Sequence, residues 1–229
     1  YNFAEVFKSK TAGSLTKLLG LDNQQLKRLR ANNGGRSFIR WLRNEKVIGK
    51  EIPDNIISWL CENSIVMDDI RFILDRMSVV QIYNYVCRQY AELNMKPKDV
   101  IGIWADYLSM AARLNMDTND AISYRVRMLK KRHDELVERC KLQDMEIRAG
   151  EVLLKYPHIE DIYDSIRSLY AYEDKTYSVL IPSKLEEIIK EGEQLHHCVG
   201  SSERYWDRIE RRESYVLFLR HTSEPDKPY

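Results

Sequence analysis

The sequence predicts a mainly α protein, with a multi-helical N-terminal region and a small α+β region at the C-terminal end. Apolar residues recur at helical spacing behind capping signals through the first 150 residues. Segments rich in strand-forming residues come late, at 176–181 and 214–220. With 44% hydrophobic and 31% charged residues, the chain has the composition of a folded globular protein.

Two helices joined by a tight turn are predicted near the N-terminus. Asp22 and Gln25 have the spacing of an N-cap and its reciprocal partner, which predicts a helix start. The two glycines within residues 32–35 end that helix, because glycine readily adopts the left-handed conformations of turns. Residues 36–46 then form a short basic helix with apolar side chains among its charges.

Further helix signals continue to about residue 147. Pro53 suits a first helical position, Ser78 with Gln81 forms a capping box, and Pro97 begins another helix. Residues 120–147 contain neither glycine nor proline and carry many charges. They predict one long, partly exposed helix. These helices must pack on one another, because short isolated helices are marginal in water.

In the C-terminal region the sequence predicts a strand, a helix, a loop, a helix and a strand, in that order. The first strand, 176–181, ends at Pro182. Ser183 and Glu186 form a capping box for the next helix, which Gly192 weakens or ends. A charged helix and a second strand follow; their predicted ranges are 203–213 and 214–220.

The predicted domain organisation follows from these elements. Residues 1–150 form a helical domain made of a basic part at 1–50, an acidic part at 51–120 and the long charged helix at about 120–147. Residues 151–229 form the α+β region. Two strands are too little sheet for independent stability, so we expect this region to be incomplete at the C-terminus.

The charge balance points to the N-terminal segment as the part that could attract a polyanion. The net charge is only +1, but residues 1–50 carry 11 basic against 3 acidic side chains. The order of helix, turn and helix in this segment resembles a DNA-binding arrangement. The candidate nucleic-acid-binding residues are Lys27, Arg28, Arg30, Arg36, Arg40 and Arg43. The alternative is an ordinary helical hairpin with a solvated basic face.

The cysteines and the hydropathy indicate a cytoplasmic protein. Cys61, Cys87, Cys140 and Cys198 are far apart and form no close pair, which favours reduced thiols. No apolar run approaches the roughly 20 residues that span a bilayer, so no membrane association is predicted. The sequence has neither a phosphate-binding loop nor zinc ligands at finger spacing, and neither a cofactor nor a metal is predicted.

A set of residues near the C-terminal end resembles the PcfJ-like family of conjugative plasmids, integrated elements and phages. The matching residues are Glu191-Gly192, Leu195, His197-Cys198-Val199-Gly200, Tyr205, Tyr215 to Arg220 and Pro225 to Tyr229. Residues 106–108, Leu114 and His133-Asp134 also resemble the helical stretch that precedes this motif. The resemblance implies a role in a mobile element, such as conjugative DNA processing. It implies no particular chemistry, and family members continue beyond the final proline with another strand.

The candidate catalytic residues are His196, His197, Cys198, Tyr205 and Arg220. A thiolate is the reactive form of cysteine, and a nearby imidazole lowers its pKa. In an extended segment His196 and Cys198 share a face, so His196 or a histidine from elsewhere is the expected base. Arg220 suits an anionic substrate. The alternative is that Cys198 and Val199 fill the core while His197 hydrogen-bonds to backbone.

Three functions are therefore predicted as alternatives. The leading one is a non-enzymatic accessory protein of a mobile element, with DNA and conjugation or phage proteins as partners. The second is an enzyme centred on His197 and Cys198. The third is a protein-interaction scaffold, favoured by the acidic middle part and the long helix. The sequence predicts no oligomeric state.

Overall fold

A computed structural model describes residues 15–228 and shows a mainly α protein, as predicted. Twelve α-helices, one 3₁₀ turn and three short strands occur in that range. The chain forms two compact units, one ending at Leu136 and the other beginning at Val137. This division lies before the boundary between residues 150 and 151 that the sequence predicts.

The first unit is built from helices whose apolar faces form one core. Its helices are α1 (Leu15–Leu19), α2 (Asn23–Ala31), α3 (Arg36–Ile48), α4 (Asp54–Glu62), α5 (Met67–Ile70), α6 (Val79–Leu93), α7 (Pro97–Arg113) and α8 (Ala121–Tyr124). The 3₁₀ turn, Arg71–Ile73, follows α5. Leu42, Ile57 and Trp104 are fully buried in this core, which explains why the apolar residues recur at helical spacing.

Two predicted capping boxes are confirmed. The Asp22 carboxylate accepts from the amide of Gln25 (2.7 Å), and the Gln25 side chain accepts from the amide of Asp22 (3.2 Å). Ser78 and Gln81 are paired in the same reciprocal way at the start of α6. Pro53 is one position earlier than predicted, because it is the N-cap of α4 and not its first helical residue.

The single helix predicted over about 120–147 is wrong, because the chain breaks between α8 and α9 (Leu129–Lys155). Side chains of α6 and α7 bind the backbone carbonyls of this break. Trp104 Nε1 donates to the carbonyl of Tyr124 at 2.7 Å, and Gln89 Nε2 donates to that of Arg127 at 2.8 Å. A continuous helix would need those carbonyls for its own ladder, so the tertiary bonds replace helical ones.

The second unit combines most of α9 and three further helices with a small sheet. Its elements after α9 are α10 (Ile159–Tyr170), β1 (Tyr172–Glu173), β2 (Tyr177–Leu180), α11 (Leu185–Gln194), α12 (Glu203–Glu210) and β3 (Phe218–His221). The strands are antiparallel in the order β1-β2-β3, and Ser178 pairs with Arg220. A separate core includes Ile159, Leu185 and Ile188, all fully buried.

Three predictions in this unit need correction. Helix α10 and strand β1 were not predicted, and α9 continues through Gly150 rather than ending near 147. Ser183 does not pair with Glu186, because α11 starts at Leu185 and the Ser183 amide and hydroxyl bind the Glu187 carboxylate. The strand predicted over 214–220 is shorter, since the Val216 amide donates to the Tyr163 hydroxyl and not to a neighbouring strand.

Among the described residues, no helix combines the length and the apolar composition needed to cross a membrane.

Candidate functional site

Helix α11 carries a carboxylate on its buried face. Leu185, Ile188 and Ile189 recur at helical spacing and are buried in the second core. Glu191 and Gly192 continue the same face and are buried as well. A buried carboxylate is costly unless it is paired, so the position of Glu191 requires a cation nearby.

Arg220 on β3 is that cation. Its Nη1 donates to Glu191 Oε1 at 2.8 Å and its Nη2 to Glu191 Oε2, and both side chains are only 7% exposed. Arg220 Nη1 also donates to the carbonyl of Leu219. The pair joins the sheet to α11, and two parallel charge-assisted hydrogen bonds fix the plane of the guanidinium.

Two glycines let the loop after α11 lie directly on that helix. Gly200 has φ of +79°, and a Cβ there would lie 2.7 Å from the Cα of Ile189. A Cβ at Gly192 would lie 3.2 Å from the carbonyl carbon of Val199. The two glycines of the C-terminal motif therefore serve a close approach of backbone to backbone, as glycine allows.

Cys198 lies in this loop and contacts Tyr205 on α12. Its Sγ is 3.7 Å from the Tyr205 hydroxyl, and the cysteine is exposed. The hydrogen bond with Cys198 raises the pKa of the Tyr205 phenol above its ordinary value. The structure thus brings together two of the candidate catalytic residues and leaves the thiol open to solvent.

The two histidines of the motif are placed differently. His196 has φ of +52°, so the chain turns at this residue and is not extended through Cys198. The expected shared face of His196 and Cys198 is therefore absent. His197 is held by its backbone amide, which donates to the Gly192 carbonyl. Within residues 15–228, neither imidazole hydrogen-bonds to the thiol, and both histidines are exposed.

A cleft of about 530 Å³, here called the Arg220 cleft, opens between the sheet, α10 and α11. Its charged lining residues are Arg167, Glu187, Lys190, Glu191, Arg220 and Asp226. Apolar walls come from β2 and from Phe218, whose ring lies 5.2 Å from the Arg220 guanidinium carbon. The cleft falls in the size range of small-molecule sites. No contact in the described part of the chain joins Arg220 to Cys198 or Tyr205.

Over the described residues, no group of three or more His, Cys, Asp or Glu side chains is placed to hold a metal ion.

Arg28, a candidate for nucleic-acid contact, lies inside the first unit. It forms ion pairs with Glu45 at 2.9 Å and Asp54 at 2.7 Å, and its Nη2 donates to the carbonyl of Ile52. Burial acts to lower the pKa of the Arg28 guanidinium, but the hydrogen bonds and charges of Asp54 and Glu45 outweigh burial and raise it. Through these contacts the Arg28 guanidinium on α2 joins α3 and α4 to its own helix.

The other basic candidates are exposed. Arg36, Arg40 and Arg43 recur every three to four residues along α3, opposite its buried face, and form what we call the basic stripe. Lys27 and Arg30 are exposed on α2. Among the described residues none of these five cations pairs with an acid, although Arg43 Nε donates to the carbonyl of Leu19.

Glu191 and Lys190 were missed as site residues by sequence reasoning. Glu191 carries a usable signal, because it falls three residues after Ile188 on the apolar face of a predicted helix. An acid at such a position predicts a buried cationic partner. Lys190 carries no comparable signal, since a lysine on an exposed helix face is ordinary.

Comparison with known proteins gives one family match. Residues 103–229 match the family described as PcfJ-like protein. An uncharacterized protein of Listeria innocua serovar 6a is 24% identical over 135 residues, which is 59% of this chain and 27% of that protein. The aligned region thus spans about a quarter of the relative's length. No solved structure matches the chain.

Proposed function

Since this chain belongs to the PcfJ-like protein family, we propose that it is an accessory protein of a bacterial mobile genetic element that contacts DNA or a DNA-processing complex. The setting is plasmid conjugation or phage propagation, with conjugation or phage proteins as further partners. The proposal places the chain in the cytoplasm. Four unpaired cysteines agree with a reducing compartment.

The basic stripe of α3 is the observation that carries the proposed DNA contact. Arg36, Arg40 and Arg43 point away from the core, and their charges are not paired with acids among residues 15–228. At 1.5 Å per residue, the stripe covers about 10 Å along the helix. Cations without an acidic partner can replace the counterions of a phosphate backbone, which is the main source of affinity for DNA.

The stripe lies before residue 103 and so outside the part that matches the family. Two separate observations therefore support the proposal. The family match supports a role in a mobile element, and the basic stripe supports a contact with DNA. Some exposed arginines elsewhere do have acidic partners: Arg71, Arg132 and Arg211 each pair with an acid three or four residues away along the chain.

Binding to labelled single- and double-stranded DNA across a salt series tests the proposal. Replacing Arg36, Arg40 and Arg43 with Glu should abolish binding that the unchanged chain shows at low salt. The logarithm of the wild-type affinity should fall steeply with the logarithm of salt, by about 0.9 per phosphate contact on duplex DNA.

The matched control replaces Arg71, Arg132 and Arg211 with Glu, which changes the net charge equally. This control should bind DNA nearly as the wild type does. Equal losses in the two variants would assign the effect to bulk charge, and absence of wild-type binding at low salt would remove the DNA contact from the proposal.

An enzyme centred on Cys198 is the second candidate function. It is favoured by the exposed thiol and its contact with Tyr205, both within the family motif. The missing histidine contact counts against a Cys/His nucleophile. Alkylation of Cys198 by iodoacetamide from pH 5 to 9 tests this candidate. If Cys198 is a catalytic thiolate, it should be alkylated at pH 6 faster in the folded chain than in the unfolded chain. Equal alkylation rates in the two states would exclude an enzyme centred on this thiol.

A further inference from the structure

We infer that the Arg220 cleft binds a small molecule through an oxyanion, either a carboxylate or a phosphate group. This inference is independent of the proposed DNA contact, because its residues belong to the second unit and not to the basic stripe. It rests on the unused donors of Arg220, the cations around the cleft and the size of the cleft.

The hydrogen bonds of the Arg220 guanidinium are incomplete. A guanidinium has five N–H donors. Two go to the Glu191 carboxylate and one goes to the carbonyl of Leu219. Nε is buried and has no acceptor among the described residues, although buried polar atoms are normally paired.

The two remaining donors lie side by side. Because Glu191 occupies the Nη1 and Nη2 end of the guanidinium and Leu219 takes the outer Nη1 proton, the free edge consists of Nε and Nη2. This edge offers two parallel N–H groups, which match the two oxygens of a carboxylate or phosphate. Arg220 lines the cleft, and we place the oxyanion against this edge.

A second cation is available for the ligand's charge. Glu191 already balances Arg220, so another anion needs further positive charge. Lys190 lines the same cleft, is exposed and has no ion pair among residues 15–228. Arg167 also lines it but donates to the carbonyls of Ile181 and Pro182 and to Asp164. We therefore propose that Lys190 balances the negative charge of the ligand.

The two other acids of the cleft have different effects. The Glu187 carboxylate accepts hydrogen bonds from the amide and the hydroxyl of Ser183, so it is turned to the start of α11. Asp226 is exposed and opposes an incoming anion. Removal of its charge should strengthen binding, which gives the inference a gain-of-affinity test.

The experiment follows the side-chain Nε–H signal of Arg220 by NMR in the ¹⁵N-labelled chain. Inorganic phosphate and acetate are titrated separately at constant ionic strength, with chloride as the reference. Specific binding should shift this signal with saturation. The arms distinguish the two chemistries, because a phosphate site saturates with phosphate at a lower concentration than with acetate, and a carboxylate site does the reverse.

Three variants test the assignment. Lys190→Ala should weaken binding about five-fold, and Asp226→Asn should tighten it about two-fold, since a single charge at an exposed site changes binding by no more than about five-fold. Lys184→Ala is the matched control, because Lys184 is exposed at the start of the same helix and does not line the cleft. Equal effects of the two lysine variants, or a signal that responds to chloride as it does to both anions, would overturn the inference.

Discussion

Arg28 connects three helices through its charge. Its side chain is 12% exposed, and its partner Glu45 is 8% exposed and also accepts from the amide of Ile52. Because removal of one member of a buried ion pair leaves the other charge uncompensated, Arg28→Ala should lower the free energy of unfolding by about 3 kcal/mol. Urea unfolding checks this value.

Arg30→Ala is the control for Arg28. Arg30 lies two residues further along α2 and is exposed, so its replacement should change the unfolding free energy by less than about 0.5 kcal/mol. Equal effects at the two positions would contradict a structural role for Arg28. Such a result would mean that Arg28 behaves like an exposed surface cation.

We predict that the stability of the turn between β1 and β2 depends on pH through Asp174. Hydrogen bonds from the amides of Tyr177 and Thr176, and then from the Tyr172 hydroxyl, lower the pKa of its carboxyl. A lowered folded-state pKa gives stability that is present above the unfolded value of about 3.9 and is lost as the pH falls through the folded-state value.

NMR titration of the Asp174 carboxyl measures this effect. The midpoint should lie below that of an exposed carboxyl without such bonds, and the amide signals of Thr176 and Tyr177 should move with the same midpoint. Amide signals that stay constant through the titration would show that the carboxylate does not hold the turn.

Gln89 on α6 controls the break between α8 and α9. Its amide nitrogen donates to the carbonyl of Arg127, and its amide oxygen accepts from the amide of Leu129 at 3.3 Å. Gln89→Met removes these bonds from a site where Gln89 is 1% exposed. The loss should cost about 1–3 kcal/mol per unsatisfied group in urea unfolding. Gln24→Met, at an exposed position of α2, should cost little.

Gly200 and Gly150 form a matched pair of test positions, because backbone surrounds the first closely and the second is open. Gly200→Ala should destabilise the chain by more than about 2 kcal/mol, because a Cβ would meet α11 backbone and alanine disfavours positive φ. Gly150→Ala should stabilise it by about 1 kcal/mol, because Gly150 lies inside α9 and nothing lies within 4 Å of an added Cβ. Thermal unfolding of both variants checks the signs; a neutral Gly200→Ala would mean that the loop approaches α11 less closely.

Whether an element could be predicted depends on how far along the chain its partners lie. The boxes at Asp22 and Ser78 were predicted correctly because both partners fall within four residues. The start of α11 was misplaced because the Leu185 amide is capped by Glu160, 25 residues earlier. The break after α8 was missed for the same reason, since its carbonyls bind side chains such as Trp104.

The same limit applies to the site. Residue type and motif selected Arg220 and Cys198, and both are in the family motif. Their partners depend on the tertiary fold: Glu191 is 29 residues from Arg220, and its pairing follows from the antiparallel sheet lying on α11. Likewise, counting charges could not separate Arg28 from the exposed Arg30, because both are basic residues on one short helix.

Two separate cores predict local responses to mutation across the whole chain. Leu42 belongs to the core of the first unit and Ile188 to that of the second, both fully buried, and the two cores share no residue. Leu42→Ala and Ile188→Ala should each cost about 2–5 kcal/mol in their own core. In hydrogen exchange, Leu42→Ala should accelerate exchange in α3 and α4, whereas Ile188→Ala should accelerate it in α10 and α11. If either variant accelerates every protected amide equally, the chain unfolds as one cooperative unit and the two cores are not energetically separate.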